Sequence, residues 1–216
     1  MLRARKNPKR RVTRLRDPER TRERLLQAAF REIYRSGFQS AGLDTILASA
    51  GVTKGALYHH FDSKEALGYA IVEEIIGPDC LDKWLRPLQR GEDPVATLIG
   101  IVQGHSVRPV DVRGGCPLNN LAQEMSPLDE GFRRRLERVF HAWQEGIAAA
   151  LREGQTGGRV RRDVKPAEAA GLLIAMVEGY GSMAKNAQDA KVWKAGIRNI
   201  VEWLRSLRAP GNRKRS

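Results

Sequence analysis

The 216-residue chain carries 38 Lys+Arg against 25 Asp+Glu, a formal net charge of +13, and 41% of its residues are hydrophobic. That is enough apolar chain for one moderate domain or two small ones, and it excludes general disorder. Its two cysteines, Cys80 and Cys116, make no disulfide framework, and its longest wholly apolar run, Leu172 to Val177, is too short to span a bilayer; a reducing, cytoplasmic setting without membrane attachment is therefore expected.

Residues 1–16 hold eight basic residues and no acid. No apolar stretch follows the first basic residues, so the segment reads as a flexible basic arm rather than a secretory signal. Asp17-Pro18 opens the first helix, where Asp can cap and Pro suits the first turn. Leu25, Leu26, Ala29, Phe30, Ile33 and Tyr34 recur along it at helical spacing, and Gly37 stops it. Residues 43–50 form one short helix, Gly51-Val52-Thr53 a turn, and Thr53 caps a second short helix over 54–61. Ser63 caps a longer helix that runs to about Ile76, where Gly77-Pro78 predicts an interruption or kink; Trp84 and Leu88 continue the apolar spacing beyond it. Further helices open at Asp93-Pro94, at Cys116-Pro117 and ahead of the stripe Phe132, Leu136, Val139, Trp143, Ile147 and Leu151. The last two are predicted over 166–185 and 191–207. Residues 208–216 add four basic residues and no acid, so the two tails hold twelve of the thirteen net charges.

Two short helices joined by a glycine turn after a longer helix are a helix-turn-helix layout. Ala50 and Gly51 permit a close crossing, and Val52, Leu57 and Phe61 can lock the second helix onto the first. The outer face then presents Lys54, Gly55, Tyr58 and His59, and the small residues Gly55 and Ala56 behind Thr53 let backbone N–H groups approach a phosphate. Tyr58, His60 and Lys64 can donate to the DNA backbone. An ordinary helical hairpin with polar surface residues satisfies the same pattern.

The residues themselves add a resemblance. Ala28-Ala29-Phe30, Gly37-Phe38, Gly42 to Leu47, Ala50 to Phe61 and Ser63 to Leu67 together resemble the DNA-binding domain of the tetracycline-repressor (TetR/AcrR) family. The resemblance implies a homodimeric, ligand-responsive transcriptional regulator, usually a repressor. It also implies that Lys54, Gly55, Ala56, Tyr58, His59, His60 and Lys64 match DNA-contacting positions. The family usually has Thr where Ala41 stands, to cap the following helix; Ser40 is the candidate substitute. The second half is more loosely similar to effector domains of one branch, through Gly115 to Glu124 and Glu178-Gly179-Tyr180. Regulators of that branch answer to small organic molecules, some of them electrophiles or oxidants.

The expected fold is all-α. A helix-turn-helix unit with the start of a linking helix occupies 17–76, and a helical effector-binding and dimerisation domain occupies 77–207. Gly171, Ala175 and Gly179, four apart, allow close helix approach, which places a four-helix dimer interface in residues 166–207. Trp84, His105, Trp143, Met176, Tyr180 and Met183 are candidate pocket residues, although each is individually the kind of residue that simply fills a core. Asn119 and Asn120 can orient a polar ligand group or merely cap. Cys116 at a helix start can be a low-pKa sensor or a small buried residue, and the second reading is preferred.

No nucleophile elbow, P-loop or dinucleotide glycine pattern occurs, and the histidines and cysteines lack ligand spacing. No catalysis, metal or cofactor is expected. The partners expected are double-stranded operator DNA, a second copy of the chain and an unknown small organic effector. The rival reading is a non-specific DNA-coating or membrane-surface protein driven by its basic tails.

Overall fold

The computed structural model describes residues 18–90, 93–107 and 112–210. In chain order the helices are α1 (Pro18–Ser36), α2 (Leu43–Ala50), α3 (Lys54–His60), α4 (Lys64–Ile71), α5 (Gly77–Arg90), α6 (Pro94–Val107), α7 (Pro117–Met125), α8 (Glu130–Thr156), α9 (Pro166–Ala187) and α10 (Ala190–Ser206). A π-helical stretch, Val72–Ile76, joins α4 to α5. Among the described residues there is no strand, only an isolated antiparallel bridge between Val160 and Arg208. The Asp17 cap, the basic arm over 1–16 and residues 211–216 of the basic tail lie outside the described residues.

Short polar side chains start α3 and α4, as expected from sequence, and also α6, α8 and α10. Thr53 Oγ1 accepts from Ala56 N at 3.3 Å and Ser63 Oγ from Ala66 N at 3.0 Å. Asp93 Oδ1 accepts from Ala96 N at 3.0 Å and Asp129 Oδ1 from Phe132 N at 2.7 Å. Each such cap is worth about 1 kcal/mol. α2, α7 and α9 start without such a cap; in α2 the cause is plain. Its cap is Gly42, with no side-chain bond, and Ala41 is buried. Ser40 does not take over the capping expected of it, because it stands two residues before the cap position and is exposed.

The interruption considered at Gly77-Pro78 does not occur: the helical path is continuous there. Pro78 has no N–H to offer the helix, and the backbone absorbs the loss by widening one turn earlier: Gly77 N–H bonds to Val72 O, five residues back. The linking helix therefore passes from the first unit into the second without a break.

Leu25, Ile46, Leu57 and Leu67 form the centre of the small N-terminal unit, each with no exposed surface. Trp143, Leu136, Ile147 and Leu151 of α8 form the centre of the larger bundle. The two cores meet in an aromatic cluster. The Phe132 ring of α8 lies 4.7 Å from Phe38 and 5.0 Å from Tyr69, both edge-on. Gly68 makes room for it, since a Cβ there would stand 2.5 Å from Phe132 and 2.6 Å from Phe38.

Candidate nucleic-acid interface and effector cavity

The α2–α3 pair is held from behind. Gly51 adopts a left-handed conformation (φ 62°) and turns the chain at the end of α2, and Leu57 and Phe61 bury the back of α3. The guanidinium of Arg24 on α1 donates to the carbonyls of Ala50 and Gly51, satisfying the end of α2 across 26 residues of sequence. Arg22 places its charge 5.1 Å from the Phe61 ring and pairs with Glu74. What remains outward is Thr53, Lys54, Gly55, Tyr58 and His59, all exposed, with Ala56 and His60 half-buried beside them. Lys54 Nζ lies 6.0 Å from the Tyr58 ring centre, so cation and phenol project together. Lys64 is half-buried: its Nζ donates to Gln39 O at 3.2 Å and stands 4.9 Å from the Phe38 ring. Its charge is thus fixed at the edge of the α3 face.

The N-terminal unit is tied to the bundle mainly through α7 and α8. Tyr34 Oη donates to Gly115 O at 2.9 Å. Glu124, near the far end of α7, accepts from the N–H groups of Phe38 at 2.8 Å and Gln39 at 2.9 Å. Tyr69 Oη donates to Asp129 at 2.8 Å, and Arg135 and Arg138 of α8 both pair with Glu73.

Between the bundle helices and α1 is a cavity of about 1060 Å³, at the upper edge of the size of small-molecule sites. Trp84, Trp143 and Trp193 form much of its wall with Ile101 and Val177, and Cys80, Cys116 and Glu178 bring polar atoms to it. The Trp84 and Trp143 rings are 5.0 Å apart. Burial and the neighbouring Glu178 carboxyl push the Cys116 thiol well above its ordinary range, and Cys80 is pushed up to about 12, mainly by burial. The low pKa considered for Cys116 from its helix-start position is therefore corrected: desolvation outweighs the helix terminus, and both thiols stay protonated.

Of the pocket residues expected from sequence, Trp84, Cys116 and Trp143 come together in this cavity. Asn119 and Asn120 do not. They line a second, more polar cleft of about 890 Å³ between α1, α7 and α9. There Asn119 Nδ2 donates to Ser182 Oγ at 3.1 Å, and Asn120 accepts from Lys185 Nζ at 2.8 Å. Met176 is half-buried and outside the cavity lining. Tyr180 turns toward α10, where its Oη accepts from Asn199 at 2.9 Å and its ring fills the space left by Gly196. Met183 is 58% exposed, because it faces away from the bundle. The His105 side chain lies outside the described residues. Sequence reasoning missed Trp193 and Glu178 as cavity residues, and Arg24 and Glu124 as struts. Glu178 alone carried a signal, as a carboxyl in an otherwise apolar helix.

Two family models match the chain. The one described as bacterial regulatory proteins, tetR family, covers residues 25–71, and the tetracyclin repressor-like C-terminal domain covers residues 95–200. The chain is 30% identical to the HTH-type transcriptional repressor DhaR of Mycobacterium sp. (strain GP1), over 73% of this chain and 79% of that one. It is 32% identical to the transcriptional regulator AcuR of Cereibacter sphaeroides, over 66% of each. A TetR regulator from Chloroflexus aurantiacus shares the fold with a TM-score of 0.78 at 26% identity, over 88% of this chain and 97% of that one. The reduced form of Escherichia coli NemR superposes with a TM-score of 0.76, over 88% and 97%; at 24% identity it speaks to fold alone. The coating or membrane-surface reading finds no support in these relatives, and no described helix is long and apolar enough to cross a membrane. With a helix-turn-helix face and, lined by its larger helical bundle together with α1, a ligand-sized cavity, the chain belongs to the TetR family of ligand-responsive, DNA-binding transcriptional regulators.

Proposed function

We propose that the protein is a homodimeric repressor that grips operator DNA through α3 and releases it when a small organic effector fills the Trp84–Trp143–Trp193 cavity. The observation that carries this reading is α3 itself: Leu57 and Phe61 are buried against the scaffold while Lys54, Gly55, Tyr58 and His59 project into solvent. Tyr58 and Lys64 act on phosphates, and Lys54 and His59 read base edges in the major groove. Thr53, Gly55, Ala56 and His60 complete the contact face. The chain divides functionally into the arm 1–16, the DNA-binding unit 17–76, the effector and dimer unit 77–207 and the tail 208–216, and it works in the cytoplasm without catalysis.

Dimerisation is assigned to α9 and α10. α9 leaves Leu172 47% and Met183 58% exposed, with Ala175 and Gly179 exposed between them at helical spacing. An apolar stripe broken by small residues suits a two-fold four-helix contact. The effector then favours a separation of the two α3 helices that no longer matches successive major grooves.

The reading is tested by selecting genomic fragments on the purified full-length protein and footprinting the winners. A two-fold symmetric protected site whose preference is lost in the double variant Lys54→Ala, His59→Ala supports it. Retention of all fragments equally overturns it.

A further inference from the structure

Among the described residues, the cavity contains one carboxyl that is not paired with a cation. Glu178, on α9, shares the cavity wall with Trp84, Trp143 and Trp193. Its described partner is the Cys116 thiol, which donates a hydrogen bond to it. The other charged groups on the wall, Asp79 and Lys83, neutralise one another at 2.6 Å. An ionised Glu178 therefore gives the chamber a net negative charge in surroundings that solvate it poorly, and burial pushes its pKa up accordingly.

The chemistry of the wall narrows what fits. A neutral apolar guest fills the space and leaves the carboxyl without a counter-charge. An anionic guest adds a like charge beside it, which costs more in low dielectric than in water. A cation on an apolar body meets both requirements at once. Its charge compensates Glu178, and its alkyl or aryl surface, together with the charge itself, suits indole walls. Asp79 is paired with Lys83 and about half exposed, so solvent screens it and it holds a cation less strongly than the buried Glu178.

We propose that Glu178 is the specificity-determining residue of this cavity, and that its effector is a lipophilic organic cation, an amine or quaternary ammonium group carried on an apolar body. The proposal rests on reading the cavity as the effector site, and the test separates the two.

Three probes of one chain length differ only in head charge: decyltrimethylammonium, 1-decanol and decanoate. Binding to the full-length protein is read by calorimetry and by fluorescence of the cavity tryptophans, and release is read from labelled operator. The cation is expected to bind about tenfold or more tighter than decanol, with decanoate weakest, and to release operator. Glu178→Gln is expected to remove that advantage while leaving decanol affinity unchanged, and Glu178→Asp to restore part of it. Unchanged circular dichroism shows that the variants fold. Decanol or decanoate binding as tightly as the cation, or an equal loss of all three in Glu178→Gln, overturns the cation assignment. If decanol releases operator and the cation does not, the cavity remains the effector site and the cation assignment falls alone. If no probe binds, or none that binds moves the operator, both readings fall.

Discussion

Tyr58 and Lys54 share one corner of α3, with the Lys54 ammonium over the Tyr58 ring. The two nonetheless differ in what their loss should do. Tyr58→Phe removes one hydroxyl donor and keeps the ring, so operator and random DNA should weaken together, by about 1 kcal/mol. Lys54→Ala removes a base-edge donor, so it should cost about 1–3 kcal/mol on the operator and relax preference at one base pair per half-site. Fluorescence anisotropy on operator and scrambled duplexes checks both; a uniform loss in Lys54→Ala reassigns Lys54 to the backbone. Glu178 supplies the residue-scale test of stability. Its carboxyl holds its proton more tightly folded than unfolded, because burial outweighs the Cys116 donor. Such a group lowers stability as pH rises past the unfolded value and ceases to do so as pH falls below it. The groups on the surrounding elements leave that sign in place: the Cys80 and Cys116 thiols are neutral, and Lys83 is held by Asp79. Glu178→Gln should therefore melt higher than the parent at about pH 8, with the difference closing near pH 4. A difference that does not change with pH means Glu178 is ionised identically in both states. These residues also mark the limit of sequence reading. Lys54, Tyr58 and His59 could be found because their spacing on one short helix fixes their face. Arg24 and Glu124 could not, because each acts on groups 26 to 86 positions away; Glu178 stood out as a carboxyl in a largely apolar helix, but the cavity it faces exists only after packing.

At the scale of elements, caps and apolar periodicity made the helices legible. Thr53, Ser63 and Asp93 each bond to a backbone N–H three residues on, a contact that sequence displays directly, and Asp129 makes the same bond although sequence reading missed it. The π stretch before Pro78 was not legible in the same way. Sequence shows that Pro78 removes a donor, but whether the helix breaks or widens depends on the packing around Val72 and Ile76, both buried. α7 has a consequence for signalling. Its first residues, Pro117 and Leu118, and the preceding Cys116 lie on the cavity wall, while Glu124 near its other end holds the loop at Phe38 and Gln39. α7 thus links the cavity wall to the DNA-binding unit. Glu124→Ala deletes both acceptors without touching the cavity. Effector affinity for the isolated repressor should stay within about twofold, while the coupling that releases operator, on the order of 1–3 kcal/mol, should shrink. Full release with undiminished coupling in this variant assigns the signal to the linking helix instead.

At the scale of the whole molecule, charge and apolar surface are distributed unequally. The unit spanning residues 17–76 carries seven basic and nine acidic residues, so it has little long-range attraction for DNA of its own. We propose that the eight basic residues of 1–16 supply that attraction. Their deletion should flatten the dependence of operator affinity on salt while the preferred sequence persists, since each lost phosphate contact removes about 0.9 from the log–log slope. Of the large apolar side chains left exposed, two, Leu172 and Met183, share α9. Burying Leu172 and Met183 between two subunits removes large side chains from water, and each is worth about 1.5–3 kcal/mol if fully covered. Glu at both positions puts like charges face to face across a two-fold axis, where each side chain or its near neighbour meets its own copy. Neither residue supports the monomer core, so the double variant Leu172→Glu, Met183→Glu should keep its helical circular dichroism and sediment as a monomer. Operator affinity should collapse in the same variant, because half-site binding by one α3 loses the second contact and the effective concentration that links the two. A double variant that remains dimeric moves the interface off this face of α9. One that is monomeric yet binds operator at parental affinity removes dimerisation from the recognition mechanism.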